Sequence, residues 1–136
     1  MPLTYFTTNK LINVLNAIGT YPTVNTYFGL SASTPNLAGG SITEPSATGG
    51  YARVLSNTAT YFAAANGTAN NASPITFPVS TAAWSTGAVN LTALCVFDQA
   101  VSGNLVSFST LNNPAAVNSA GVTVSLTANS YITTLS

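Results

Sequence analysis

TVNTYFGLS, residues 23–31, places Val24, Thr26, Phe28 and Leu30 at every second position, with Asn25, Tyr27 and Gly29 between them. A period of two is that of a strand with one face on a core, because successive side chains of a pleated backbone point to opposite sides. The chain around it repeats the pattern in short units. ASTPNLAGGSITEPSATGG (32–50) is a long loop punctuated by proline and glycine, and YARVLS (51–56) returns as a strand. TATYFAAA (58–65) reads as another, and NGTANNAS (66–73) is a turn-rich loop opening on an Asn-Gly pair of the hairpin type. PITFPVS (74–80) is confined to an edge or a brief pairing by Pro74 and Pro78, which lack an N–H for a ladder.

The longest strand is AVNLTALCVFD (88–98), turned by QAVSGN (99–104) into LVSFSTL (105–111). A loop over 112–121 precedes the last two strands, VTVSLTA (122–128) and YITTLS (131–136). Upstream, TTNKLINVLNAIG (7–19) is the one helical pattern: Leu11, Ile12, Leu15 and Ile18 share a stripe, Thr7 or Thr8 suits the start and Gly19 the end. A helix of this length needs something to lie on. A lid on the domain's own core is the expected arrangement; an arm inserted between subunits is the alternative. Together these units predict a single mainly-β domain over 1–136, an antiparallel β-sandwich or jelly-roll-like barrel, with 1–19 as an N-terminal arm and helix.

Composition bounds the function. The 136 residues include two basic and two acidic side chains, so charged residues are 3% of the chain and the formal net charge is zero, with 46% apolar residues. Mean hydropathy is +0.36. Disorder does not fit a chain so rich in apolar residues, and no run approaches the length of a membrane-spanning helix. Lys10 and Arg53 are too few to displace the counterions of a nucleic acid, so neither nucleic acid nor membrane is an expected partner. A surface without charge repulsion instead favours association into a larger body. No signal peptide is visible at the N-terminus. Cys95 reads as a small buried hydrophobe, and the sequons at Asn66, Asn71 and Asn90 as chance in a chain rich in Asn and Thr.

Catalytic chemistry has little to work with. There is no histidine for a nucleophile triad or a zinc site, and one cysteine makes no thiolate cluster. Glu44 and Asp98 are the two carboxylates a glycosidase or a calcium site would need, but the rest of such a site is not evident. No catalytic residue, metal or cofactor is therefore expected. Tyr27, Phe28, Tyr51, Trp84 and Phe97 stand out as core or interface anchors, with core packing favoured for Trp84. In EPSATGGYAR (44–53), Glu44 and Arg53 hold the two ends of a segment that Pro45 and Gly49-Gly50 can fold back on itself. A Glu44–Arg53 salt bridge bracing the long loop is the expectation.

NTYFGLSASTP (25–35), TEPSATGGYARV (43–54), the segment from Trp84 to VFD at Asp98, SGNLVSFSTL (102–111) and NPAAVNSAGVTVSL (113–126) resemble, in this order, small structural proteins of tailed bacteriophages. That family is often labelled phage tail-fibre protein and has relatives that decorate capsids. The resemblance implies a non-enzymatic part at the outer surface of the virion. With a single small domain, near-zero net charge, no catalytic set and no fibrous repeat, we expect a capsid decoration or cement protein, a homo-oligomer taken as a trimer that bridges the major capsid protein or other virion proteins, and as the alternative a tail or fibre component contacting the host surface.

Overall fold

The structure, a computed structural model, describes residues 2–20, 25–56, 65–85 and 89–134. The strand expected at 58–65 lies outside these residues except for Ala65. Among these residues one α-helix and eight strands are assigned: α1 (Tyr5–Leu15), β1 (Thr26–Ser31), β2 (Val54–Ser56), β3 (Thr68–Asn70), β4 (Ile75–Thr76), β5 (Leu91–Phe97), β6 (Leu105–Ala115), β7 (Ser125–Leu126) and β8 (Ile132–Thr134). A four-stranded antiparallel sheet in the order β2-β1-β5-β6 is the frame.

Register sorts the sheet's side chains onto two faces. Phe28 stands opposite Val96 and Leu30 opposite Leu94, and all four join Tyr51, Ile75, Phe77, Trp84, Val117 and Tyr131 in the larger core. Gly29 stands opposite Cys95 and Tyr27 opposite Phe97. Cys95 and Phe97 belong with Leu105 and Phe108 to a smaller core on the other face, closed by Ile42. β5 is buried at nearly every position because it is sandwiched between neighbouring strands and covered on both faces. Burying each such Leu, Val or Phe side chain contributes about 1.5–3 kcal/mol.

The layer over the larger core consists of ribbons and loops. β3 pairs with β8 and β4 with β7, each two or three residues long. This departs from a closed jelly roll: among the described residues the four-stranded sheet keeps β2 and β6 as its edges and no barrel closes. The reason is local. Prolines at 74 and 78 flank β4 and leave it too few donors for a long ladder. Buried side-chain joints do the remaining work. Asn71, fully buried, donates through Nδ2 to the carbonyls of Ser73 and Thr127 at 2.9 Å each, and accepts at Oδ1 from the Tyr131 amide at 2.8 Å.

Three assignments differ from the sequence expectation. Thr68–Asn70, placed in a loop, is β3; Asn66 and Gly67, at φ 51° and 73°, form the tight turn that the Asn-Gly pair indicated, with Ala65 bridged to Thr68. β6 runs on through Asn112, Asn113 and Pro114, because an edge strand tolerates a proline. The helix starts and ends earlier than 7–19. Its start is set by docking: the Thr4 amide donates to Val106 O at 3.0 Å, Thr4 Oγ1 to Leu105 O at 2.5 Å and Thr7 Oγ1 to Val106 O at 2.8 Å. Its end is set at Ala17, in the left-handed region at φ 56°. The Ile18 amide donates to Asn13 O and the Ala17 amide to Val14 O, the hydrogen-bond pair of a Schellman motif.

The lid expectation also fails for the stripe. Thr7 is the buried residue of α1, while Ile12, Leu15 and Ile18 are 48%, 84% and 72% exposed. The helix lies on the sheet edge by its threonines because β6 offers unpaired carbonyls there, and hydroxyls satisfy them better than methyl groups.

Candidate structural site at Glu44 and Arg53

β2 covers β1 only as far as Phe28, opposite Val54. Beyond that point the chain turns away, and the N–H groups of Leu30 and Ala32, which point to the same edge as that of Phe28, need other partners. Tyr51 Oη accepts from the Leu30 amide at 2.9 Å, and Thr43 O from the Ala32 amide at 2.9 Å. The segment from Thr43 to Tyr51 thus replaces a strand along this edge.

Tyr51 reaches that position through its own packing. Its ring stacks on Phe77 with centroids 6.4 Å apart and meets Trp84 edge-on at 5.4 Å. Trp84 in turn donates from Nε1 to Gly49 O at 2.6 Å, and a Cβ at Gly49 would lie 2.9 Å from the indole, so glycine is required for the approach. Gly50, at φ 78°, ends the 3-10 turn Ala47–Gly49 and redirects the chain into Tyr51.

The tyrosine hydroxyl then donates to Glu44 Oε1 at 2.7 Å. Arg53 approaches the same carboxylate in a fork, Nε to Oε1 at 2.9 Å and Nη2 to Oε2 at 2.5 Å. Its Nη1 donates to Gln99 O at 2.8 Å and Ser102 O at 2.6 Å, carbonyls of the β5–β6 hairpin. The guanidinium carbon sits 3.3 Å from the centre of the Phe97 ring. Side-chain exposure is 7% for Arg53 and 23% for Glu44, so the pair is mostly withdrawn from water. Gly29 forms the floor: a Cβ there would meet Phe97 at 2.8 Å, Glu44 at 2.9 Å and Tyr51 at 3.0 Å.

Charge and burial act together on the titratable groups. Burial first, and the Glu44 carboxylate second, hold the Tyr51 hydroxyl well above the ordinary tyrosine range. Cys95, inside the smaller core, is pushed up to about 12 by burial and then by Glu44. Neither group is an activated nucleophile. Asp98 is occupied elsewhere, accepting from the Asn104 amide at 2.7 Å and from its Nδ2 at 2.8 Å across the turn at Ser102-Gly103. No group of three or more His, Cys, Asp or Glu that could hold a metal occurs among the described residues. An open groove of about 380 Å³ lies beside the cluster, between Pro45, Ala47, Arg53 and Val101. Its ionic groups already satisfy one another.

Of the residues singled out from sequence, Glu44, Arg53, Tyr51 and Phe97 converge on this cluster, with Trp84 one shell behind. Phe28 lies in the larger core and Tyr27 is half-buried opposite Phe97. Gln99, Ser102 and Gly29 were not legible as members, because they contribute backbone carbonyls or empty space rather than a side-chain chemistry. No helix among the described residues is long and apolar enough to cross a membrane. A search of curated proteins found no match. A family model described as "Podophage GP4 fiber I protein gp80" matches residues 2–134.

Proposed function

Because the chain belongs to this podophage fiber I protein family, non-enzymatic structural proteins of the phage particle, we propose that it is a fibre subunit carried by the tail and directed at the host surface. The observation that carries this reading is the match over 133 of 136 residues to a family described by its fibre. That description favours the fibre over head decoration, for which no observation speaks separately. The chain serves there as a homo-oligomeric building block in contact with other virion proteins. The Glu44–Arg53 pair acts as a strut within the subunit, tying the long loop, β1 and the β5–β6 hairpin into one rigid edge. Its part in this reading is to hold one shape, since a buried ion pair is often no more stabilising than apolar groups of the same volume.

High-resolution imaging of purified particles, with the chain traced in density, tests the assignment. Density for this fold in fibres attached to the tail is the expected result. Finding it on the head shell and nowhere on the tail overturns the fibre reading.

A further inference from the structure

Between the outer length of β6 and the strands β7 and β8 lies an open groove of about 380 Å³. That volume is at the small end of the roughly 300–1,000 Å³ usual for small-molecule sites. One wall is the sheet edge at 109–113, and the other comes from residues within 125–132. The second wall is held in place by the buried Asn71, which binds the Thr127 carbonyl and the Tyr131 amide.

The lining is polar without being charged. Tyr131 is the one ionisable residue that lines the groove, and its hydroxyl lies 3.2 Å from Ser107 Oγ in the core. Among the described residues the amides of Asn112 and Asn113 and the hydroxyl of Thr127 have no protein hydrogen bond, and all three residues are exposed. Ser130 Oγ donates to Thr127 O at 2.6 Å and keeps its acceptor sites.

This chemistry sorts the occupants. A phosphate, sulfate or carboxylate would meet no cation, and a metal ion no carboxylate. A flat aromatic ligand would meet no open ring, since Tyr131 is 4% exposed. An added peptide strand needs a regular edge with outward amides, and β6 does not offer one here. Ala93 pairs with Thr110 but Leu91 with Ala115, so β6 bulges between them, and Pro114 has no N–H. A neutral molecule dense in hydroxyls remains. Each of its hydroxyls donates and accepts, as the two asparagine amides do, and the C–H face of a sugar ring has Leu111 and the half-exposed Ile132 to lie against.

We propose that the groove between β6 and the strands β7 and β8 binds a neutral saccharide, with Asn112, Asn113 and Thr127 as its hydrogen-bonding residues. Without an aromatic platform the single site is weak, and repetition of the chain along a fibre supplies the avidity. This deepens the fibre reading and rests on it for the presentation of many copies to a sugar-bearing surface.

Saturation-transfer NMR on the full chain tests it, with neutral hexose and N-acetylhexosamine oligosaccharides as probes and uronic-acid and sulfated oligosaccharides beside them. Transfer to a neutral probe and none to the acidic ones is expected. Asn112→Ala/Asn113→Ala should weaken that binding by about tenfold or more with an unchanged circular dichroism spectrum. If that variant fails to fold, Thr127→Val, at an exposed position, takes its place under the same readings. No transfer to any neutral probe, equal transfer to the acidic ones, or undiminished binding in the variants overturns the proposal. A chain that binds no sugar but loses a contact with another virion protein in these variants also overturns it, and makes the groove a protein joint. Imaging separates the two readings: a sugar-binding chain on the head shell sinks the fibre alone, and a tail fibre whose chain binds no sugar sinks the groove alone.

Discussion

Replacing Arg53 by lysine keeps the charge and removes nearly everything else. The fork on Glu44, the two bonds to Gln99 and Ser102 and the flat stack on Phe97 all need a guanidinium. We expect Arg53→Lys to cost about 2–4 kcal/mol, below the loss from stranding a fully buried charge and well above the 0–1 kcal/mol of an exposed pair. Glu44→Gln should cost a similar amount, and the double variant less than the sum, because either single change already loses the two-bond fork that the side chains share. Urea unfolding of the four proteins in the cycle measures this; additive losses would mean that the two side chains act independently. The pairing of residues 44 and 53 could be anticipated from sequence because so few other charges compete. The stack on Phe97 could not, because it depends on which face of β5 the register assigns to that ring.

At the scale of elements, α1 closes on a non-glycine residue in the left-handed region. Ala17 sits at φ 56°, where its Cβ crowds the backbone, while Gly19, two residues on, has no such φ. Ala17→Gly should therefore stabilise the protein by about 0.5–1 kcal/mol, read as a higher thermal midpoint. A lower midpoint would show that the Schellman closure does not limit this end. The ribbons make a second case. Asn71→Ala removes three hydrogen bonds at a fully buried position and takes this partner from the Ser73 carbonyl and the Tyr131 amide, while the Thr127 carbonyl keeps Ser130 Oγ at 2.6 Å, so a loss of about 2–4 kcal/mol is expected from denaturant unfolding. Alternation made β1 and β5 readable, and the Asn-Gly pair located the turn before β3. Of the ribbon strands, β4, β7 and β8 lie inside segments read as extended and β3 does not; their shortness and their pairing were not readable, because their joint is an asparagine whose partners lie up to 60 positions away. The helix boundaries slipped for the same reason, since Thr4 and Thr7 answer to carbonyls of β6 and not to any cap in their own segment.

For the whole molecule, pH acts through groups that must lose a proton they hold in the fold. With four charged side chains and no histidine, almost nothing titrates between pH 6 and 8, and stability there should be flat. Above that, Cys95 matters first. Its unfolded thiol ionises near its ordinary value of 9.0 while the folded thiol is pushed up to about 12, so the unfolded state binds fewer protons and stability falls as pH rises. The slope for one such group is about 1.4 kcal/mol per pH unit. Tyr51 adds the same sign from its ordinary value of 10.0 upward, because burial and Glu44 keep its hydroxyl protonated in the fold. Urea midpoints should thus hold to about pH 8.5, decline between 9 and 10, and decline more steeply beyond. Cys95→Ala, which leaves a small gap beside Phe97 and Phe108, should be less stable at pH 7 yet keep its stability to about pH 10 before falling. Equal slopes for the two proteins between pH 9 and 10 would place the alkaline transition in other groups and remove Cys95 from it.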